Sequence, residues 1–432
     1  MPQCKKPCKS HWIYLSARHL FFLLIFLSVL CGISDASGIE RRRDQFQGQP
    51  GYYIVPVPYR LTGIGEGVIF LGAALNVADT NADVYGFGFT GDLEGYGAGA
   101  LDMHLVPRTL IFDVTTERIN KATLTSYSKR GMDTDKDDYT LVDLGDIEFN
   151  LARLTATFFE RRLEVYGMGY EVASQLEGIR QRDGTLILDV QDPERDSMQH
   201  VAIGARLDLT DDYLDPRKGV RLDISRGWSP RKNSGASDYY VMEHNTTGYI
   251  PVGKRSSVAL NYFRSDAFVV GTGETDRATI ESDRGLDCGT ITDPEEQQQC
   301  KQVVDNIIAE NRYGTASSLG GTSRLRSYSH DRYIGAHSLF YGAEFRWNIT
   351  EESTPFNILI MKDVRTALQM AFFYETGSVA DSRDDLGRIM RSSYGAGFRI
   401  VTGSGLIFRA DVATGSEGPA TTMIIGYPWE IF

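Results

Sequence analysis

Beyond residue 30 the chain has no long apolar run, so nothing after that point can cross a membrane as a helix, which takes about 20 consecutive apolar residues. Cysteine is scarce as well: five occur in 432 residues, and only Cys288 and Cys300 lie past position 31. The Cys-x-x-Cys spacing of a redox or zinc site is absent, and no metal or cofactor is indicated. Proline numbers only 14. Basic charge is in short supply too. Lys and Arg total 45 against 57 Asp and Glu, a net charge of -12, which argues against nucleic acid as a partner. Aromatic and small residues are plentiful: 22 Tyr, 21 Phe and 44 Gly. That composition fits an all-β chain whose hydrophobicity sits on alternate residues.

The N-terminal region reads as an export signal over residues 1–36. Lys5, Lys6, Lys9 and Arg18 precede an apolar run from Leu20 to Leu30, and Ser34-Asp35-Ala36 has small-x-small cleavage spacing. The run is too short for a spanning anchor. Cys31 does not make a lipoprotein site, because Ser28-Val29-Leu30 lacks the small residues expected before the cysteine. In an exported protein the close pair Cys288 and Cys300 reads as a disulfide, worth about 3 kcal/mol on the chain-entropy model.

Many segments alternate with period two. Val220, Leu222, Ile224 and Trp228 point one way, and Arg221, Asp223 and Ser225 the other. Residues 200–209, 339–349 and 406–413 repeat the pattern, the last with Arg409 and Asp411 opposite Phe408, Ala410 and Val412. A soluble sandwich and a transmembrane barrel both alternate, with the signs reversed in space. Loop lengths favour the barrel. About sixteen strands start near residues 66, 83, 95, 108, 122, 147, 162, 199, 218, 238, 256, 337, 366, 393, 405 and 421. Tight gaps such as 92–94, 118–121, 211–217, 251–254 and 403–404 alternate with long ones such as 130–146, 174–199, 269–336 and 377–392. Short turns on one rim and long loops on the other mark a monomeric transmembrane antiparallel β-barrel of the bacterial outer membrane. The connection 350–365 is long on the short-turn side and breaks the rule. The expected division is a periplasmic lead-in over 37–63, with Pro56 and Pro58, then a barrel over 64–432 that includes a long extracellular loop at 269–336. The last stretch puts Met423, Ile425, Tyr427, Trp429 and Ile431 on one face and stops at Phe432, so a final strand running to the last residue is expected, with Trp429 and Phe432 as a C-terminal address signal.

The most specific segment is Leu319-Gly-Gly-Thr-Ser-Arg-Leu-Arg-Ser-Tyr328, followed by Glu344-Phe-Arg346 and Phe373-Tyr-Glu-Thr-Gly377. In order and type these resemble the BamA/TamA family of outer-membrane barrels, as does Asp215-Pro-Arg-Lys-Gly219 in a tight turn. In that family a Val-Arg-Gly-Phe/Tyr tetrad sits on the sixth extracellular loop; here it falls on Leu325, Arg326, Ser327 and Tyr328. The resemblance implies that Arg326 folds into the lumen against Glu344 and Glu375 and plugs the pore. A guanidinium fork suits carboxylates in a partly desolvated site. Periodicity alone favours Arg326 as a solvated loop residue, with both glutamates lining a wet channel; the order of the motifs reverses that. The chain departs from the pattern in three places: Ser327 replaces Gly, Glu375 replaces Asp, and Glu430 sits where the C-terminal signal wants an apolar group. Ser327 is expected to have φ < 0 or to carry strain.

The resemblance implies a non-enzymatic role in bringing proteins or lipids into or across the outer membrane, as a short form without the periplasmic domains of larger members. Its partners would be outer-membrane lipid, barrel client proteins and a periplasmic accessory protein. A passive diffusion pore or a surface-exposed binding protein is the alternative. Two other signals carry little. Gly86-Phe-Gly-Phe-Thr-Gly91 matches a dinucleotide fingerprint but opens no helix. His330-Asp331 lacks the constellation of a hydrolase. Within the long loop, Asp293-Pro-Glu-Glu296 starts a helix whose apolar stripe is Val303, Val304, Ile307 and Ile308.

Overall fold

The computed structural model describes residues 39–46, 50–127, 129–229, 235–283, 286–350, 355–358, 361–402 and 407–429. The signal expected at 1–36, the turn at 403–404 and Phe432 lie outside them. One antiparallel sheet winds through the chain. Its first half comprises β1 (Gly51–Leu61), β2 (Gly65–Leu75), β3 (Asp83–Gly91), β4 (Glu94–Val106), β5 (Leu110–Tyr127), β6 (Tyr139–Phe158), β7 (Leu163–Arg180) and the short β8 (Leu186–Asp189). The second half runs through β9 (Arg195–Asp208), β10 (Gly219–Trp228), β11 (Asp238–Val252), β12 (Ser256–Gly271), β13 (His337–Asn348), the short β14 (Pro355–Ile358), β15 (Met361–Ala380), β16 (Arg391–Thr402), β17 (Ile407–Gly415) and β18 (Gly418–Ile425). Without the two short strands, β8 and β14, sixteen strands form the wall of a closed barrel.

The buried face settles barrel against sandwich. Arg206, Asp208, Arg221, Asp223, Glu344, Arg346, Arg409 and Asp411 are buried, while their neighbours Ile203, Ile224, Trp228, Trp347 and Val412 are exposed. The polar face points inward and the apolar face outward, the outer-membrane arrangement.

Two expectations on strand placement are corrected, and they cancel in the count. First, residues 51–61 are a barrel strand rather than lead-in, paired with β2 along their whole length. Pro56 and Pro58 hide it in the sequence. They share parity, so the donors they lack belong to one side of the strand. The ladder to β2 is complete, and the side left short faces β18. Second, β5 is continuous through 118–121, where a turn was expected. Arg118 and Lys121 there are outward and solvated, pairing with Glu148 and Glu177 on neighbouring strands. At about 3.3 Å per residue, strands as long as β5, β6 and β7 run well past a membrane that needs only some ten residues.

The end of the chain is also corrected. β18 stops at Ile425 and the alternation with it. Gly426 takes φ +106° and Trp429 φ +69°, and the segment turns into the lumen. β18 meets β1 at one position among the described residues, Arg60 opposite Met423. Extending that register puts Ile425 level with Pro58, so Gly51–Val57 has no β18 alongside. The 350–365 connection accounts for part of that edge: β14 and the start of β15 form a hairpin that places Lys362 and Met361 opposite Tyr52 and Tyr53. The long turn therefore straps the periplasmic end of the seam.

The loop between β12 and β13 holds helices α1 (Arg277–Asp283) and α2 (Pro294–Tyr313), the latter starting where expected. The Cys288–Cys300 disulfide ties α2 to the segment that follows α1, over a small core of Ile280, Val304 and Cys288. This core is separate from the lumenal one. Reduction should therefore make the 277–313 knob sensitive to protease while leaving the barrel's melting temperature within a few degrees of the oxidised value; a coincident collapse of both would contradict that separation.

Candidate functional site

After its helices, the long loop enters the lumen. Leu319 and Tyr333 close it with a two-residue bridge, and Tyr328 N–H donates to the Leu325 carbonyl at 3.0 Å. Leu319, Leu325, Tyr328 and Tyr333 are buried with Tyr249, Phe263, Phe340 and Trp429 in one cluster. That packing fixes the tip and aims Arg326 sideways at the wall.

Arg326 is fully buried. Its Nε donates to Glu375 Oε1 at 2.8 Å, Nη1 to Asp411 Oδ2 at 2.7 Å and Nη2 to Glu344 Oε2 at 3.1 Å. Its backbone N–H donates to Glu375 Oε2 at 2.9 Å, and its guanidinium lies 3.4 Å from the centre of the Phe373 ring. The carboxylates come from β13, β15 and β17, so one side chain ties the loop to three strands. Further arginines complete the set. Arg399 donates to both oxygens of Glu344 at 2.7 and 2.5 Å, Arg346 to Glu344 at 2.9 Å and Arg409 to Asp411 at 2.9 Å. All seven groups are buried, so each charge depends on the others for solvation it no longer takes from water.

The C-terminal segment joins the same cluster. Trp429 Nε1 donates to Glu375 Oε1 at 2.9 Å, and Asn245 Nδ2 donates to the Trp429 carbonyl at 2.6 Å. The indole lies over Gly342, where a Cβ would fall 2.6 Å from Cζ2. Tyr427 OH donates to Asp215 Oδ1 at 2.7 Å, which carries the tail's contacts to the periplasmic turn. Asp215 also accepts from Arg42 at 3.1 Å and from Arg217 at 3.0 Å. Burial works against its charge, but Arg217 and Arg42 outweigh burial and hold the carboxyl below the usual carboxylate range. Arg43 pairs with Asp212 at 2.7 Å, and Arg41 donates to the Thr210 carbonyl at 3.1 Å. The Arg41-Arg42-Arg43 run thus pins the chain before β1 against the turn at 209–218.

The structure brings Arg326, Glu344 and Glu375 together. It adds Asp411, Arg399 and Arg409, which belong to the inward face of the alternation but are named by no motif. Tyr328 OH donates to the Ser392 carbonyl at 3.1 Å. Ser327 is free of positive φ, which falls on Leu325 instead, at +53°. Its hydroxyl occupies space left by Gly415, where a Cβ would lie 2.4 Å from Ser327 Oγ and 2.8 Å from the Ser392 carbonyl. Gly415→Ala should therefore cost about 1–3 kcal/mol by overpacking. Adding Ser327→Gly should recover part of it in thermal melts, and no recovery would mean that Gly415 answers only to the backbone. Trp429, expected in a final strand running to the last residue, sits in the lumen. His330 is exposed beside Asp331, and Gly86–Gly91 is strand β3 with Phe87 and Phe89 inward. Among the described residues no group of acidic, His or Cys side chains could hold a metal.

Residues 153–417, more than half of the chain, match the Omp85 superfamily domain. Among solved structures, the chain is similar to BamA from Haemophilus ducreyi lacking POTRA domains 1-3, at 11% identity and TM-score 0.44, covering 88% of this chain and 69% of that one. It is similar to CdiB from Escherichia coli at 12% identity and TM-score 0.49, covering 88% and 62%. CdiB from Acinetobacter baumannii stands at 12% and 0.46, covering 87% and 60%. The chain thus spans roughly three fifths to two thirds of the length of these proteins. No curated protein matches. With an inward-charged closed barrel, a buried arginine on its long loop and the domain match over most of the wall, the chain is an outer-membrane β-barrel that belongs to the Omp85 superfamily.

Proposed function

We propose that this barrel assists the insertion or translocation of proteins or lipids at the outer membrane. It works mechanically, by parting the wall between β1 and β18 while the Arg326 loop keeps the lumen closed. The observation that carries this reading is the seam. β1 is laddered to β2 over all its residues and, among the described residues, to β18 at one. Since every unmade backbone pair in lipid is costly, a wall with one such weak joint opens there first. Arg326, Glu344, Glu375 and Tyr328 hold the plug, and no covalent step is involved. Barrel client proteins, bilayer lipid and an accessory protein at the Arg41–Arg43 rim are the partners that fit. Deleting the protein and comparing outer-membrane proteomes tests the reading. Loss of particular barrel proteins is expected; an unchanged proteome with altered small-solute uptake would favour a diffusion pore instead.

A further inference from the structure

The lumen is divided. The side formed by β11–β17 holds the charged plug, whereas the side formed by β1–β7 encloses a cavity of about 970 Å³. That is at the upper end of the roughly 300–1,000 Å³ range of ligand pockets. Its walls are apolar, unlike the lumen of a water-filled barrel. Tyr53, Ile69, Leu71, Phe87, Ile119 and Leu124 line its height. The lining has a built geometry. Tyr85, Phe87 and Phe89 lie flat along β4, on positions kept clear by Gly99, Gly97 and Gly95. A Cβ at these three glycines would meet the rings at 2.6, 2.4 and 2.8 Å. Flat rings keep the cavity wide, and an apolar space of this kind has too few polar partners to hold water well. Most of the charge lies at the periplasmic floor, where Asp102 is paired with Arg161 at 3.1 Å beside Asp113 and Asp83; Glu117 on β5 stands higher in the wall, level with Phe87 across Gly97.

The cavity also reaches the weak part of the wall. Ile424 and Ile425, the last residues of β18, line it together with Tyr53 of β1. Just beyond them the tail turns inward at Gly426, and Ile54–Val57 of β1 has no strand partner on that side among the described residues. Ile54 and Phe70, on the outer face, are 59% and 58% exposed, so this part of the wall faces hydrocarbon. We propose that the β1–β7 side of the lumen is a binding site for the acyl chain of a phospholipid. The chain enters from the periplasmic leaflet between Ile54–Val57 and Gly426, and its headgroup stays in the gap, outside the acidic floor. This site is separate from the Arg326 plug and stands whether or not the barrel handles client proteins.

The test is photocrosslinking in intact cells with p-benzoylphenylalanine in place of Phe87, and separately in place of Leu124, followed by mass spectrometry of the adducts. Phe70 on the lipid face serves as the positive control and Tyr249, buried on the plug side, as the negative one. Phospholipid adducts are expected at 87 or 124 and at 70, and not at 249. Leu71→Asp, which puts a charge in the cavity wall, should lower the lumenal adducts at least about tenfold and leave the adduct at 70 unchanged. The adduct at 70 also reports that each variant has folded into the membrane. The proposal is overturned if folded variants give no lumenal adduct, an adduct of free fatty acid, or a crosslink to this chain's own apolar segment at 20–30. It is equally overturned if Leu71→Asp leaves the lumenal adducts at full yield.

Discussion

Arg326→Ala lowers the stability of the barrel by about 3–5 kcal/mol, the usual cost of removing one partner from a buried ion network. The loss appears as a lower temperature for heat-modified mobility and for thermal unfolding. The three carboxylates do not suffer equally. Glu344 keeps Arg399 and Arg346, and Asp411 keeps Arg409. Glu375 loses its guanidinium and retains two neutral donors, the Trp429 indole and the backbone N–H of residue 326. Glu375→Gln in the Arg326→Ala background should therefore restore a measurable part of the loss, because it removes the charge left stranded. Arg326→Lys should fall between wild type and alanine: it keeps the charge but cannot address three carboxylates at once. In planar bilayers the wild type should conduct weakly and the alanine variant more strongly, as the loop comes off the wall. Unchanged melting and unchanged conductance would make Arg326 a bystander in the lumen.

Part of this site was legible in the chain, and the reason is local. Arg326, Glu344 and Glu375 lie in short motifs whose order along the sequence carries information. Asp411 and Arg409 were visible as the inward face of an alternating strand, but alternation gives a side of the wall and no distance across it. That Asp411 meets Arg326, 85 residues earlier, depends on barrel curvature and loop depth, which no local pattern encodes. Trp429 was misplaced for a sharper reason. Period two continues through Tyr427 and Trp429, and only the positive φ of Gly426 ends it. A glycine in a strand is ambiguous between a bulge, a bend and nothing at all.

The fold was legible because one face of each strand must satisfy lipid and the other the lumen. The strand count came out at sixteen through two opposite errors. Pro56 and Pro58 concealed β1, since proline argues against a strand unless one side is unpaired. The polar run at 118–121 divided β5, since strands that extend past the bilayer lose their lipid-facing signature. Both errors point to structure that matters: the first to the weak seam, the second to a wall standing proud of the membrane. The unexplained length of 350–365 has the same origin, because its hairpin partner β1 lies some 300 residues away, as the pairing of Met361 with Tyr53 requires.

The seam gives the second large effect. Arg60 and Met423 are direct partners across it, within the range that a disulfide can bridge. Arg60→Cys with Met423→Cys should form a bond that closes the joint whose parting is proposed above. Oxidised, this variant should be as stable as wild type or more so, because a crosslink only restricts the open and unfolded states. It should nonetheless be inactive. The loss of function would then come without loss of fold, which separates a moving seam from a damaged barrel. Reductant also opens Cys288–Cys300, so the wild type with and without reductant is the control.

The most direct measurement is the outer-membrane level of the proteins that disappear on deletion, followed in cells carrying only the Arg60→Cys, Met423→Cys double variant, before and after reduction. The expected result is the deletion phenotype while the seam is locked and recovery once it is reduced. Full levels of those proteins with the seam verifiably locked would contradict opening between β1 and β18.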